Sequence, residues 1–164
     1  MKGADLPRLA ALGLLLHPER LSGAETSLRA LCAAGALNGG LSVALDVRPD
    51  ELVGPLCQQV GGPAPSLRVL DVRTAPAELW VRVGDVEEHW PVPDLAALVD
   101  CLNSCYRAAP DARAIAQLGK WEDAQQLWCV GKPALVRLLE EGLLEAENAP
   151  ALAALVRRRP LQEG

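Results

Sequence analysis

Glu78-Leu79-Trp80-Val81-Arg82-Val83-Gly84-Asp85-Val86-Glu87-Glu88-His89-Trp90-Pro91-Val92 is the stretch on which the fold turns. Leu79, Val81 and Val83 alternate with Trp80 and Arg82, the period of a strand with one buried face. Gly84-Asp85 is a two-residue turn with glycine first, the type II′ pattern whose twist suits a hairpin. Val86, Trp90 and Val92 resume the alternation. A two-residue loop dictates the register. Val83 faces Val86, Arg82 faces Glu87, Val81 faces Glu88, Trp80 faces His89 and Leu79 faces Trp90. Leu79 and Trp90 then share the apolar face. Trp80 with His89, and Arg82 with Glu87, share the other.

Toward the C-terminus, Pro93-Asp94 opens a helix that runs to about Ala108, with Leu95, Leu98, Val99, Leu102 and Tyr106 on one stripe. Asp100, Ser104 and Arg107 lie opposite, and Ala109-Pro110 ends it. Residues 112–130 admit two readings. Ala114 to Trp121 and Ala124 to Val130 form a hairpin around Glu122-Asp123, or two short helices break at Gly119. Gly119-Lys120-Trp121-Glu122-Asp123-Ala124 resembles the turn of a tetratricopeptide-type unit, but it has no second copy and a solenoid needs at least three. The hairpin is preferred because Leu127-Trp128-Cys129-Val130 before Gly131-Lys132-Pro133 reads as a strand feeding a helix. Helices over Pro133–Leu144 and Pro150–Arg158 close the chain.

Toward the N-terminus, Leu67 to Arg73 is a strand whose alternation breaks near Leu70, which indicates a bulge or burial on both sides. Gly61 to Ser66 is a loop. Pro49-Asp50-Glu51 starts a helix with proline in the first turn and acids at the positive end of the dipole. Its stripe is Leu52, Val53, Leu56 and Val60. Leu41 to Val47 alternates as a half-buried strand. Residues 5–16 read as a first helix, with Leu6, Leu9, Leu12 or Gly13, and Leu16 recurring. A second opens at Ser22 or Ala24, carries Leu28, Leu31, Cys32 and Gly35, and stops at Gly39-Gly40. The order is α-α-β-α-β-β-β-α-β-β-α-α. It predicts one α+β domain over 1–164, a mostly antiparallel sheet flanked by helices, helical over 1–62 and sheet-rich over 66–164.

Half of the 164 residues are apolar, yet phenylalanine is absent. All five aromatic residues, Trp80, Trp90, Tyr106, Trp121 and Trp128, lie between positions 80 and 128. Such hydrophobicity excludes a disordered chain, and the composition excludes collagen-like and disulfide-rich scaffolds. A formal net charge of −5 argues against a dedicated nucleic-acid binder. The five cysteines, Cys32, Cys57, Cys101, Cys105 and Cys129, are odd in number and irregularly spaced. Reduced thiols in a cytoplasmic protein are the expectation. The apolar run Leu9 to Leu16 is followed by His17-Pro18-Glu19-Arg20 instead of a cleavage site. No run approaches the ~20 residues of a membrane span.

No motif assigns a reaction. Cys101 and Cys105 stand one helical turn apart, but zinc needs four ligands and the remaining donors, His17, His89, Cys57 and Cys129, are dispersed. A pairing of His89 with Cys101 or Cys129 lacks the context of an activated thiolate. Glu87-Glu88, Glu122-Asp123 and Glu140-Glu141 read as solvated turns or faces. No catalytic, cofactor-binding or metal-binding residue is therefore assigned. Leu28-x-x-Leu31-x-x-x-Gly35-x-Leu37 resembles the end of a winged-helix recognition helix, and Arg157-Arg158-Arg159 is the one basic run. Any amphipathic helix with a glycine cap gives that spacing.

The second half, β-β-β-α-β-β-α, is similar in element order to the small adaptor folds of bacterial secretion chaperones. The resemblance implies a protein-binding role, carried by element order and by no motif. The expected function is a non-enzymatic, chaperone-like binding module, a homodimer, whose partner is a protein. Its surface would be marked by Trp80, His89, Arg82, Glu87, Trp121 and Trp128, since tryptophan is enriched at interface hot spots. The competing expectation for Trp80 is a cover of N-terminal helices over its face. Nucleic-acid association through the N-terminal helices and the arginine run is an alternative, and a cysteine- or metal-dependent enzyme is another.

Overall fold

The computed structural model describes residues 5–20, 27–60, 67–74, 77–105, 107 and 112–156. The elements are α1 (Leu6–Ala11), α2 (Leu28–Ala33), β1 (Gly40–Ala44), α3 (Pro49–Val60), β2 (Leu67–Thr74), β3 (Ala77–Val83), β4 (Val86–Pro91), α4 (Leu95–Cys105), β5 (Ala114–Trp121), β6 (Ala124–Val130), α5 (Lys132–Glu140) and α6 (Ala149–Val156). Among the described residues a 3-10 turn at Pro18–Arg20 is the one addition to the expected order. The fold is α+β, with two antiparallel three-stranded sheets, β1-β6-β5 and β2-β3-β4.

The elements stack in layers. Helix α3 packs on both β6 and β2, and α4 packs on both β5 and β4. These two helices thus lie between the sheets. Helices α2 and α6 pack on strands of the β1-β6-β5 sheet, and α5 packs on α6. One core joins Val43, Ile115 and Leu127 to Leu56, Val99 and Leu102 of the middle helices and to Leu79, Val81 and Trp90 of the second sheet. A second core joins Leu9, Leu31, Leu135 and Leu152 to Trp128 and Val130. Among the described residues, the β1-β6-β5 sheet is covered on both faces and the β2-β3-β4 sheet on one.

The β3–β4 register is the one derived from the turn, pair for pair from Val83–Val86 to Leu79–Trp90. The break near Leu70 is a bulge between Val69 and Asp71. Residues 112–130 form the preferred hairpin, with Trp121 opposite Ala124.

The N-terminal helices are shorter than their spacing suggests. Helix α1 ends at Ala11 because Gly13 adopts φ +74°, a left-handed turn that glycine enters without steric cost. The Gly13 N–H donates to Ala10 O and the Leu14 N–H to Leu9 O, the bond pair of a Schellman stop. The same pair, Gly35 to Cys32 and Ala36 to Leu31, ends α2 well before Gly39. Ser27 caps α2 by accepting from Ala30 N at 3.1 Å. Strand β1 ends at Ala44, before a turn, so Leu45 is 49% exposed instead of continuing the buried face. The second helix's proposed start at Ser22 or Ala24, the loop 61–66, Tyr106 and the arginine run all lie outside the described residues.

Candidate functional site

The alternation of β3 and β4 sends Glu78, Trp80 and Arg82 outward beside Glu87 and His89, away from Leu79, Val81 and Trp90. Among the described residues no helix covers this outer face. Helices α1 and α2 contribute instead to the second core, against the other sheet. The face is a linked set of side chains. The rings of Trp80 and His89 stack with centroids 4.7 Å apart and planes 24° apart. The Arg73 guanidinium lies over the Trp80 ring, 5.5 Å from its centroid. The Glu78 carboxylate ties both neighbours, with Oε1 2.7 Å from His89 Nε2 and Oε2 3.5 Å from Arg73.

Arg82 pairs with Glu87 at 2.9 Å across the hairpin. Both side chains are solvated, so the pair contributes under about 1 kcal/mol. On β2, Arg68 lies opposite Arg82. No described residue pairs with the Arg68 guanidinium. This end of the face therefore presents two adjacent cations, one of them already bonded to Glu87.

The two remaining tryptophans belong to the other sheet. Trp121, at the β5–β6 turn, is half-buried under Arg29, whose guanidinium sits 5.7 Å from the ring centroid. Trp128 is fully buried, and its Nε1 donates to Asn38 O at 2.9 Å. That corrects its expected place at a surface. Strand β6 is packed on both faces, so its period of two does not separate inside from outside. Trp80, His89, Arg82 and Glu87 come together; Trp121 and Trp128 do not join them. Arg73 and Glu78 complete the set, and neither was singled out from the sequence. Their positions opposite one another on β2 and β3 were the available signal.

The cysteines are free thiols. Burial pushes Cys32 up to about 11 and Cys105 and Cys129 up to about 12; Cys101 is also raised, again chiefly by burial. Among the described residues no group of three His, Cys, Asp or Glu is placed to hold a metal ion. No helix of the described residues is long and apolar enough to cross a membrane. Two of the N-terminal cations, Arg8 and Arg29, are engaged within the protein. Arg8 forms a two-pronged pair with Glu141, at 2.6 Å on each arm, and Arg29 donates to Lys120 O at 3.3 Å. No protein-family model, curated protein or solved structure matches this chain.

Proposed function

We propose that this protein is a non-enzymatic protein-binding module that recognises its partner with the outer face of β2-β3-β4. The observation that carries the reading is the Arg73–Trp80–His89 stack, tied by Glu78 on a sheet face that no described helix covers. A large ring already packed between two neighbours has less side-chain freedom to lose when a partner covers it. The adjacent Arg68 and Arg82 call for a carboxylate. The partner is therefore a protein segment with an acidic side chain beside an apolar one, the first over Arg68 and the second over Trp80.

The alternation of charge along this face argues against an obligate homodimer built on it, because charged residues are depleted from such interface cores. A homodimer would use another surface. The nucleic-acid reading gains no support from Arg8 and Arg29, which are spent on internal contacts.

The test is affinity capture from native lysate with the full chain, Trp80→Ala, Arg68→Glu and the control Glu145→Ala, each first shown to be folded by circular dichroism. A protein held by the wild type and the control, and lost from both face variants, is the expected result. A central anchor of this kind is worth about 2 kcal/mol, roughly 30-fold in affinity. Identical capture by all four proteins would refute the assignment.

A further inference from the structure

We propose that Asn38 is a self-modifying site, at which water converts the side-chain amide to a carboxylate through a cyclic imide with the Gly39 nitrogen. Asn38-Gly39 is the one Asn-Gly pair in the chain. Glycine has no side chain to hinder closure of the ring. Asn38 is exposed, between α2 and β1, and its side-chain amide donates to no described group. Asn103 and Asn148, by contrast, each donate through Nδ2 to Ile115 O.

The peptide that joins Asn38 to Gly39 is held in a state that suits the reaction. Its nitrogen must lose a proton before it can attack. Among the described residues the Gly39 N–H donates to no backbone acceptor, so no such bond retains that proton. The negative charge left behind spreads onto Asn38 O, and Trp128 Nε1 already donates to that oxygen at 2.9 Å. The Arg113 guanidinium adds a positive charge, with Nη1 3.3 Å from the point where a Gly39 Cβ would sit. A fixed donor and a cation placed beside a developing anion lower the barrier to forming it.

In the step itself, the Gly39 N–H gives its proton to solvent hydroxide and the nitrogen attacks Asn38 Cγ. The N–Cγ bond forms, the Cγ–Nδ2 bond breaks, and Nδ2 takes a proton from water and leaves as ammonia. Hydrolysis of either imide carbonyl then gives aspartate or isoaspartate, so one water is consumed and one ammonia released. Isoaspartate lengthens the main chain by one carbon, and this segment has no slack. Asn38 N donates to Leu14 O at 2.9 Å, Gly39 O accepts from Cys129 N at 2.9 Å, and a Cβ on Gly39 would run into Cys129 O. The oxygen that holds Trp128 Nε1 also leaves the main chain and becomes part of a carboxylate. Conversion to isoaspartate thus loosens the seat of the buried Trp128.

The experiment is incubation of the folded full chain at pH 8, beside the same chain unfolded in urea, with peptide mapping by mass spectrometry over time. Asn38 is expected to convert at least as fast in the folded chain as in the unfolded one, while Asn103 and Asn148 stay intact in the fold. Folded Arg113→Gln should convert at least about tenfold more slowly than the folded wild type, a modest share of what one charge does to a nearby, partly screened anion. Once unfolded, the two should convert at the same rate. The comparison of folded with unfolded wild type needs no variant, so it decides even where Arg113→Gln does not fold. The isoaspartate form, separated by ion exchange, should melt below the unconverted chain. Asn38 intact in the folded chain after the unfolded chain has converted would overturn the proposal. So would equal rates for folded wild type and folded Arg113→Gln, or an isoaspartate form that melts with the unconverted chain.

Discussion

Asn103 offers the sharpest test of how this fold is closed. It is 9% exposed on α4 and faces β5, an edge strand of the first sheet. Its amide brackets one residue: Ile115 N donates to Oδ1 at 2.8 Å, and Nδ2 donates to Ile115 O at 3.0 Å. Asn103→Ala removes both bonds. Ile115 O keeps a second donor, Asn148 Nδ2 at 3.0 Å, but Ile115 N–H is left buried and unpaired. An orphaned buried donor costs about 1–3 kcal/mol. The space left by the amide adds about 1 kcal/mol. The expected loss is about 3 kcal/mol, or about 6–12 °C in melting temperature for a chain of this length. Urea denaturation followed by tryptophan fluorescence measures it. Asn103→Asp separates bonding from packing. Its second oxygen would face Ile115 O, which favours the protonated form and raises the folded-state pKa above the ordinary value of about 3.9. Its stability relative to the wild type should then be highest below about pH 3.9 and fall as the pH rises through the folded-state pKa. The reasoning fails if both variants stay within about 0.5 kcal/mol of the wild type at pH 7.

Three further outcomes follow from the same geometry. Gly39 has φ +91° and a Cβ there would run into Cys129 O, so Gly39→Ala should cost at least about 3 kcal/mol; a denaturation midpoint near wild type would contradict the close approach. Cys32 and Cys129, pushed up by burial, should react with iodoacetamide at pH 8 at least about 100-fold more slowly in the folded than in the urea-unfolded chain; peptide mapping that finds either labelled at the free-thiol rate would contradict their burial. The Arg8 guanidinium holds the Glu141 carboxyl below its ordinary value of 4.5, so the advantage of the wild type over Glu141→Gln should persist above that pH and vanish as the pH falls through the lowered value. Paired pH titrations of stability check it, and a gap that widens in acid would reverse the sign.

What could be read from the residues depended on whether one face of each element was polar. In β3 and β4 the alternation is unbroken and the turn has two residues, so every cross-strand pair could be derived. In β6 the chain is buried on both sides, so the large ring of Trp128 looked like a candidate anchor until its Asn38 bond and its burial were seen. Leu14, Leu15 and Leu16 continue the helical spacing past Gly13, so α1 looked longer than it is. The apolar run is used to fill the second core from a turn. Asn103 and Asn148 left no mark, because a polar residue beside an apolar stripe looks like a solvated flank. Gln126 was hidden in the same way, although it is buried and bonded to Ser42 Oγ at 2.6 Å.

The treatment of the sheet edges supports recognition by a face. On β5, Asn103 brackets Ile115, Asn148 Oδ1 accepts from Gln117 N at 2.8 Å, and Glu147 N donates to Gln117 O at 2.7 Å. These groups would otherwise be free to pair with another chain. The other edges are guarded by different means. β4 carries Glu87 and Glu88 and ends in Pro91, β2 is bulged at Leu70, and β1 is five residues long. Charges, proline, bulges and short strands are the devices that keep one sheet from adding to another. A partner that cannot extend a sheet must lie on a face, and among the described residues the outer face of β2-β3-β4 is the sheet face left uncovered. Its contacts would then be side chain to side chain, around Trp80 and between solvated charges. Complexes of that kind draw on electrostatics for their encounter, so the proposed association should weaken steeply between low and physiological salt. Affinity insensitive to salt, with Arg68→Glu binding as the wild type does, would place the contact elsewhere.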